Sequence, residues 1–340
     1  MRLDSANRSF LAFMGVALLL GAFVICGAVG GVLLPLVSVR LSHDGLASLL
    51  SAGGSALAAL LPFGVLVAVG LALGCRSLVR QAIASCRLAR RLRGLSVRLP
   101  EELVGAAAQT GLDGRVVFVE APESFSFVYG VLTPRVVVSR GLLERVTRGE
   151  LRAVLEHERY HVCNLDPLKV LLVQALSAAL FFLPALDSLR ARYAAGRELA
   201  ADRRALVACG RRPLVNALLK VVRGPEWSEL EGTVAIGGPE LLDVRVAQLE
   251  TGAEPRLEAL SLTRIMLSLL GAALFAAAFL VSVSGFGGPA AVYHATGTGL
   301  VSAILLGGSA CAAPFAVVGF SAYSCVALRA RRPRRTSVCS

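Results

Sequence analysis

A chain of 340 residues has room for a membrane region and a folded domain together. An apolar fraction of 55% and a mean hydropathy of +0.68 exclude an ordinary soluble domain. The net charge of +12 would suit nucleic-acid binding, but its arginines cluster beside apolar stretches, the pattern of cytoplasmic membrane loops, so no nucleic-acid partner is expected.

In chain order, apolar stretches at 10–37 and 46–74 each exceed the roughly 20 residues that cross a bilayer. The first is too long for a signal-peptide core and lacks a convincing A-x-A cleavage pattern, so it reads as a retained anchor. Arg40 is the only basic residue between the two stretches, whereas Arg76, Arg80, Arg87, Arg90, Arg91, Arg93 and Arg98 follow the second. That asymmetry puts the first loop outside and the arginine cluster in the cytoplasm, within reach of anionic lipid.

Residues 76–166 read as an α+β cytoplasmic part. A helix is expected over 99–112, and β-branched or aromatic runs at 115–120, 125–129 and 134–138 read as strands. Thr147 and Glu150 have capping-box spacing and begin an amphipathic helix over 148–164. That helix carries His157-Glu158-Arg159-Tyr160-His161, an H-E-x-x-H motif using two of the four histidines in the chain. Residues four apart share a helix face, so both imidazoles can bind one zinc ion, and the intervening Glu can act on water as a base.

A third apolar stretch, 168–186, follows Pro167 and is interrupted by Pro184. If it crossed the membrane, the arginine-rich segment 190–223 would lie outside, opposite His157 and His161. Residues 167–187 are therefore expected to be re-entrant or membrane-buried, broken near Phe181-Phe182-Leu183-Pro184 and covered by protein. Residues 188–260 then form a second cytoplasmic, helical part with a late helix near 241–249. Stretches 262–286 and 298–328 form a membrane hairpin within 261–328, around a loop, 287–297, that has no Lys or Arg. Residues 329–340 form a basic cytoplasmic tail, and 1–75 hold the first two transmembrane helices. The whole is expected to be an α-helical polytopic membrane protein with a cytoplasmic α+β metalloprotease domain.

The eight cysteines contain no C-x-x-C pair, so neither disulfides nor a cysteine metal site is expected, and Cys163 reads as a packed thiol. Catalytic zinc sites offer three protein ligands. His43 and His294 fall in loops expected outside, which leaves carboxylates. Glu198, in Arg197-Glu198-Leu199-Ala200-Ala201-Asp202, could complete the site or simply pair with Arg203 or Arg204. Asp202 lies four residues on and could accept the second N–H of a ligand histidine. Asp166 could cap the third stretch or support the site, and Glu156 points off the metal-facing stripe, as a solvated residue would.

The run from His157 to Asp166, the apolar stretch with Phe181-Phe182-Leu183-Pro184, and Arg197 to Asp202 resemble the BlaR/MecR-type antirepressor family of integral-membrane zinc metallopeptidases. They are also similar to the HtpX and CAAX-prenyl-protease type. The likeness covers roughly 88–250, including Tyr129-Gly130-Val131-Leu132-Thr133-Pro134 and the strand after it. It implies a zincin-like, gluzincin site with His157, His161 and Glu198 as zinc ligands, Glu158 as catalytic base and Asp202 as support. It also implies that 136–139 form an edge strand binding extended peptide by β-addition. The antibiotic sensors of that family carry a large extracellular penicillin-binding domain. Here about a dozen residues follow the last stretch and no S-x-x-K occurs, so β-lactam sensing by this chain alone is not expected.

The expected activity is peptide hydrolysis in a protein substrate, a regulator or a damaged membrane protein, with a separate sensor or regulator as a further partner. Tyr193, Arg203 and Arg204 are candidate oxyanion donors. The bacterial plasma membrane, with the active site facing the cytoplasm, is the expected location. A non-catalytic membrane scaffold retaining the fold is the alternative. A channel ranks last, because Arg264 is the sole ionisable residue in the four clearest spans.

Overall fold

A computed structural model describes residues 6–19, 21–22, 45–221, 234–235, 241–253, 255, 257 and 261–284. The expected span at 298–328 and the tail at 329–340 lie outside the described residues, as does much of the stretch at 10–37. The described chain is mostly helical with one small mixed sheet. Helix α1 covers Ala6–Leu19 and α2 covers Gly45–Leu95, whose portion Gly64–Leu95 is long and apolar enough to cross a membrane. Among the described residues it is the one unbroken helix that meets this test.

Strand β1 (Ser96–Val97), helix α3 (Glu101–Gln109) and strands β2 (Val116–Val119), β3 (Ser126–Tyr129) and β4 (Arg135–Ser139) follow. With β5 (Val234–Ala235) they form a five-stranded sheet in the order β1-β2-β4-β3-β5. Only β2 and β4 run parallel; the other pairs are antiparallel. Alternation along β4 explains its unbroken apolar run. Val136 and Val138 join the core beneath the H-E-x-x-H helix, while Val137 faces the other way with Phe127, Leu88 and Leu92. The far end of α2 thus packs directly on the sheet.

That placement corrects one expectation. Residues 136–139 are not an edge: β4 pairs with β2 on one side and β3 on the other. A strand apolar on both faces suits an interior position, whereas an edge would leave a row of backbone groups open. The outer side of β3 is paired with β5 through Phe127 and Val128.

After α4 (Arg140–Arg145), α5 runs Arg148–Asn164 from the expected capping box. The Thr147 hydroxyl accepts from the Glu150 amide, and the Glu150 carboxylate accepts from the Thr147 amide at 2.8 Å. Leu165 takes a left-handed conformation (φ 54°), and α6 (Asp166–Ala179) sets off at 56° to α5. Pro167 lies in the first turn of α6, where its missing N–H is harmless. Pro184 precedes α7 (Ala185–Cys209), so the third apolar stretch breaks where its proline indicated. Helices α8 (Arg211–Val221), α9 (Leu242–Thr251) and α10 (Leu262–Ser284) complete the described chain.

Small residues let the apolar helices approach closely. A Cβ on Gly70 would lie 2.5 Å from the Ala179 carbonyl oxygen, and one on Gly74 would lie 3.0 Å from Ala179 Cβ. Both glycines are on α2 and Ala179 is on α6, so α6 is held against the candidate span.

Candidate metal centre

Helix α5 presents His157, Glu158 and His161 to α7, which presents Glu198 and Asp202. Alanines at 200, 201 and 205 are buried on α7, which keeps that helix slim where it meets α5. Each of the five polar residues is at most 2% exposed.

The two Nε2 atoms are 3.2 Å apart. His157 Nε2 lies 3.5 Å from Glu198 Oε2, and His161 Nε2 lies 3.8 Å from Glu198 Oε1. One ligand atom from each residue falls within a 4.8 Å group. Both carboxylate oxygens of Glu198 and both of Glu158 are buried without a well-formed hydrogen bond. Buried carboxylate oxygens without a well-formed hydrogen bond suit a cation, and two imidazole nitrogens with a carboxylate oxygen are a donor set that fits a divalent metal ion.

The outward nitrogens of both imidazoles meet carboxylates. His161 Nδ1 is 2.6 Å from Asp166 Oδ2, which places Asp166 at the site, the alternative that sequence left level with a cap. His157 Nδ1 is 2.9 Å from Asp202 Oδ1. With carboxylates behind both rings, the Nε2 atoms are left to face inward. Asp166 also accepts from Asn164 Nδ2 at 3.0 Å and from the Tyr193 hydroxyl at 3.2 Å.

Burial pushes the Glu158 carboxyl up to about 8. Burial alone would depress His157, but hydrogen bonds to Asp202 and Glu198 outweigh it and bring it up to about 9. Burial works to raise Glu198 too, yet the imidazoles, Arg197 and Arg245 hold it well below the usual carboxylate range. A dication among the Nε2 atoms would oppose the imidazole shift and reinforce that of Glu198.

Sequence reasoning missed Arg245. It is fully buried on α9 and donates from Nε to Asp202 Oδ2 and from a terminal nitrogen to Asp202 Oδ1, both at 2.6 Å. Its other terminal nitrogen is 3.7 Å from Glu198 Oε2. The available signal was positional: Arg245 shares the buried side of α9 with Gln248 and Leu249, an unusual place for a guanidinium.

Other expectations resolve differently. Glu156 is buried, not solvated, with Arg159 at 3.4 Å and Arg204 at 3.9 Å. Of the oxyanion candidates, Tyr193 turns its hydroxyl to Asp166, Arg204 lies beside Glu156, and Arg203 is partly buried on α7. Arg197, not among them, has Nε 3.3 Å from Glu198 Oε1. Cys163 is disulfide-bonded rather than a packed thiol; among the described residues Cys75, Cys86 and Cys209 are free. His43 and His294 also lie outside the described residues.

A family model described as BlaR1 peptidase M56 matches residues 56–249. No curated protein matches the chain.

Proposed function

The chain belongs to the BlaR1 peptidase M56 family, a membrane-associated metallopeptidase family, and from that premise we propose that it is a membrane-embedded zinc metalloendopeptidase. In this reading His157, His161 and Glu198 hold the zinc, Glu158 is the catalytic base, and Asp202 and Asp166 fix the imidazoles. The observation that carries it is the convergence of three buried ligand atoms next to a buried, unpaired Glu158.

Zinc held there would supply Lewis acidity, making water a better nucleophile near neutral pH and polarising the scissile carbonyl. Glu158 takes a proton from the attacking water as its oxygen bonds the carbonyl carbon, and passes that proton to the leaving amine as the C–N bond breaks. A dication held by His157, His161 and Glu198 would favour the ionised form of Glu158 that takes the proton.

The substrate class is a cytoplasmic or membrane protein, either a regulator cleaved on a signal or a membrane protein under quality control. A separate sensor or regulator protein would bring the signal. The arginine-rich half of α2 supports a site on the cytoplasmic side of the plasma membrane. In the accompanying domain reading, 76–166 and 188–260 form the protease, 167–187 are re-entrant or membrane-buried, and 1–75 and 261–328 anchor it.

Two variants test the reading in detergent-purified full-length protein. Wild type should hold about one zinc per chain and Glu198→Ala should lose it. Glu158→Gln should keep zinc and abolish cleavage of the chain itself or of a co-expressed substrate. A metal-free wild type after gentle purification and zinc resupply would leave the scaffold alternative in its place.

A further inference from the structure

We infer that Arg245 is a positioning residue for the metal centre, and that α9 acts through it as a clasp which must be docked for the ion to be held tightly. The inference rests on the zinc reading above and adds a component to it. Helix α9 contributes no ligand, so its contact with the site is indirect.

Charge bookkeeping gives the first reason. Glu158, Asp166, Glu198 and Asp202 are four carboxylates, each at most 2% exposed. A dication offsets two of them, and Arg245 carries the one fully buried guanidinium or ammonium group among the described residues. Removing it would leave the buried Asp202 carboxylate without its guanidinium partner, which is strongly unfavourable.

Geometry gives the second. The guanidinium fork meets Asp202 with two parallel bonds of 2.6 Å, which fixes the plane of that carboxylate. Asp202 Oδ1, one of the two oxygens so held, is the atom facing His157 Nδ1. With that oxygen held by Arg245, the approach to His157 Nδ1 is constrained, and with it the direction of His157 Nε2. The remaining terminal nitrogen of Arg245 is buried without a well-formed hydrogen bond and lies toward Glu198, so one side chain addresses one ligand directly and a second, His157, through Asp202.

The third reason is that this contact depends on tertiary docking. Asp202 and Arg245 are 43 residues apart. Gln248, one turn further along α9, donates to the Leu199 carbonyl on α7 at 2.9 Å, and Leu249 enters the main core. Helix α9 is thus fastened to the ligand-bearing helix at two points and to the main core at a third. By linkage, whatever factor docking adds to metal affinity, the metal returns to docking.

The test measures zinc affinity by competition with a chelating dye in detergent-purified full-length protein, together with the cobalt(II) visible spectrum, which reads ligand geometry. Arg245→Met should weaken zinc binding by about 10- to 100-fold and shift the cobalt bands, as loss of a ligand-orienting partner does. Arg245→Lys keeps the charge without the fork and should recover part of the loss. The double variant Arg245→Met/Asp202→Asn should bind no more weakly than the weaker single variant, because Arg245 acts through Asp202; fully additive losses would overturn that route. Zinc should also raise hydrogen-exchange protection of Leu242–Thr251 in wild type, and less so in Arg245→Met. Wild type that binds zinc alongside an Arg245→Met protein of equal affinity and unchanged cobalt spectrum would overturn the inference while leaving the metal site standing. Wild type that binds no zinc would overturn both. Should Arg245→Met fail to fold, Arg245→Lys decides, and wild-type affinity with a wild-type spectrum there would count against the clasp.

Discussion

Glu158 follows His157 on α5 and is buried with neither carboxylate oxygen well hydrogen-bonded, so its chemistry and its burial can be separated by a near-isosteric change. Glu158→Gln keeps the volume and removes the proton acceptor. Cleavage should fall by at least about 100-fold with zinc content unchanged, measured on one purified preparation. Equal loss of zinc and activity would instead make Glu158 part of the metal's support. Asp166 gives a graded counterpart: Asp166→Asn keeps an oxygen for His161 Nδ1 but removes the charge, so zinc affinity should fall by about 10-fold or more in the same dye competition. The residues legible in sequence were those tied by local periodicity. His157 with His161 and Glu198 with Asp202 are each four apart, and a helix brings such pairs to one face whatever surrounds it. Arg245 was not legible because its partner is 43 residues away and no local rule aims it there. Glu156 was misread because the amphipathic pattern assumes solvent behind the helix, whereas α5 is flanked by the sheet, α7 and α8.

Helix α5 must hold three site residues in register, and its start is set by the Thr147–Glu150 capping box. Glu150 also pairs with Lys220 of α8, so one carboxylate joins a helix start to a second helix. Thr147→Ala should destabilise the fold by about 0.5–2 kcal/mol, read as a lowered thermal midpoint. Burial would raise the Glu150 carboxyl, but Lys220 and Thr147 outweigh it and hold it below its ordinary 4.5. A depressed folded value means the contribution is present above 4.5 and is lost as pH falls through the lower, folded value. Glu150→Gln should therefore narrow the gap to wild type in acid; a gap constant from neutral pH to below 4 would remove Glu150 from the account. At this scale the sequence was informative about element type. The β-branched runs are strands and the capped run is a helix, with ends shifted by a few residues. Strand order was not readable, because the pairing of β4 with both β2 and β3 is a tertiary choice that its own residues permit but do not dictate.

Helix α2 ties the membrane to the active site. Its apolar portion is the candidate span, and its arginine-rich end packs Leu88 and Leu92 on the sheet against Phe127 and Val137. The sheet in turn supports α5 through Val136 and Val138. Whichever side of the membrane receives Leu88 also receives His157, so the side on which the site lies reduces to the side of one position on α2. Cys86 is free and exposed, two residues before Leu88. Positive charge concentrates in cytoplasmic segments, and Arg87, Arg90, Arg91 and Arg93 follow Cys86 in sequence. A membrane-impermeant maleimide added to intact bacterial cells expressing the chain should therefore leave Cys86 unmodified. The same reagent should modify it in inverted membrane vesicles, as read by mass spectrometry of the peptide containing it. Modification in intact cells would put the sheet and α5 outside, and would exclude a cytoplasmic substrate while leaving the metal centre unaffected. The polarity of the α2 arginines would then have to be explained by a protein or lipid partner on the outer face.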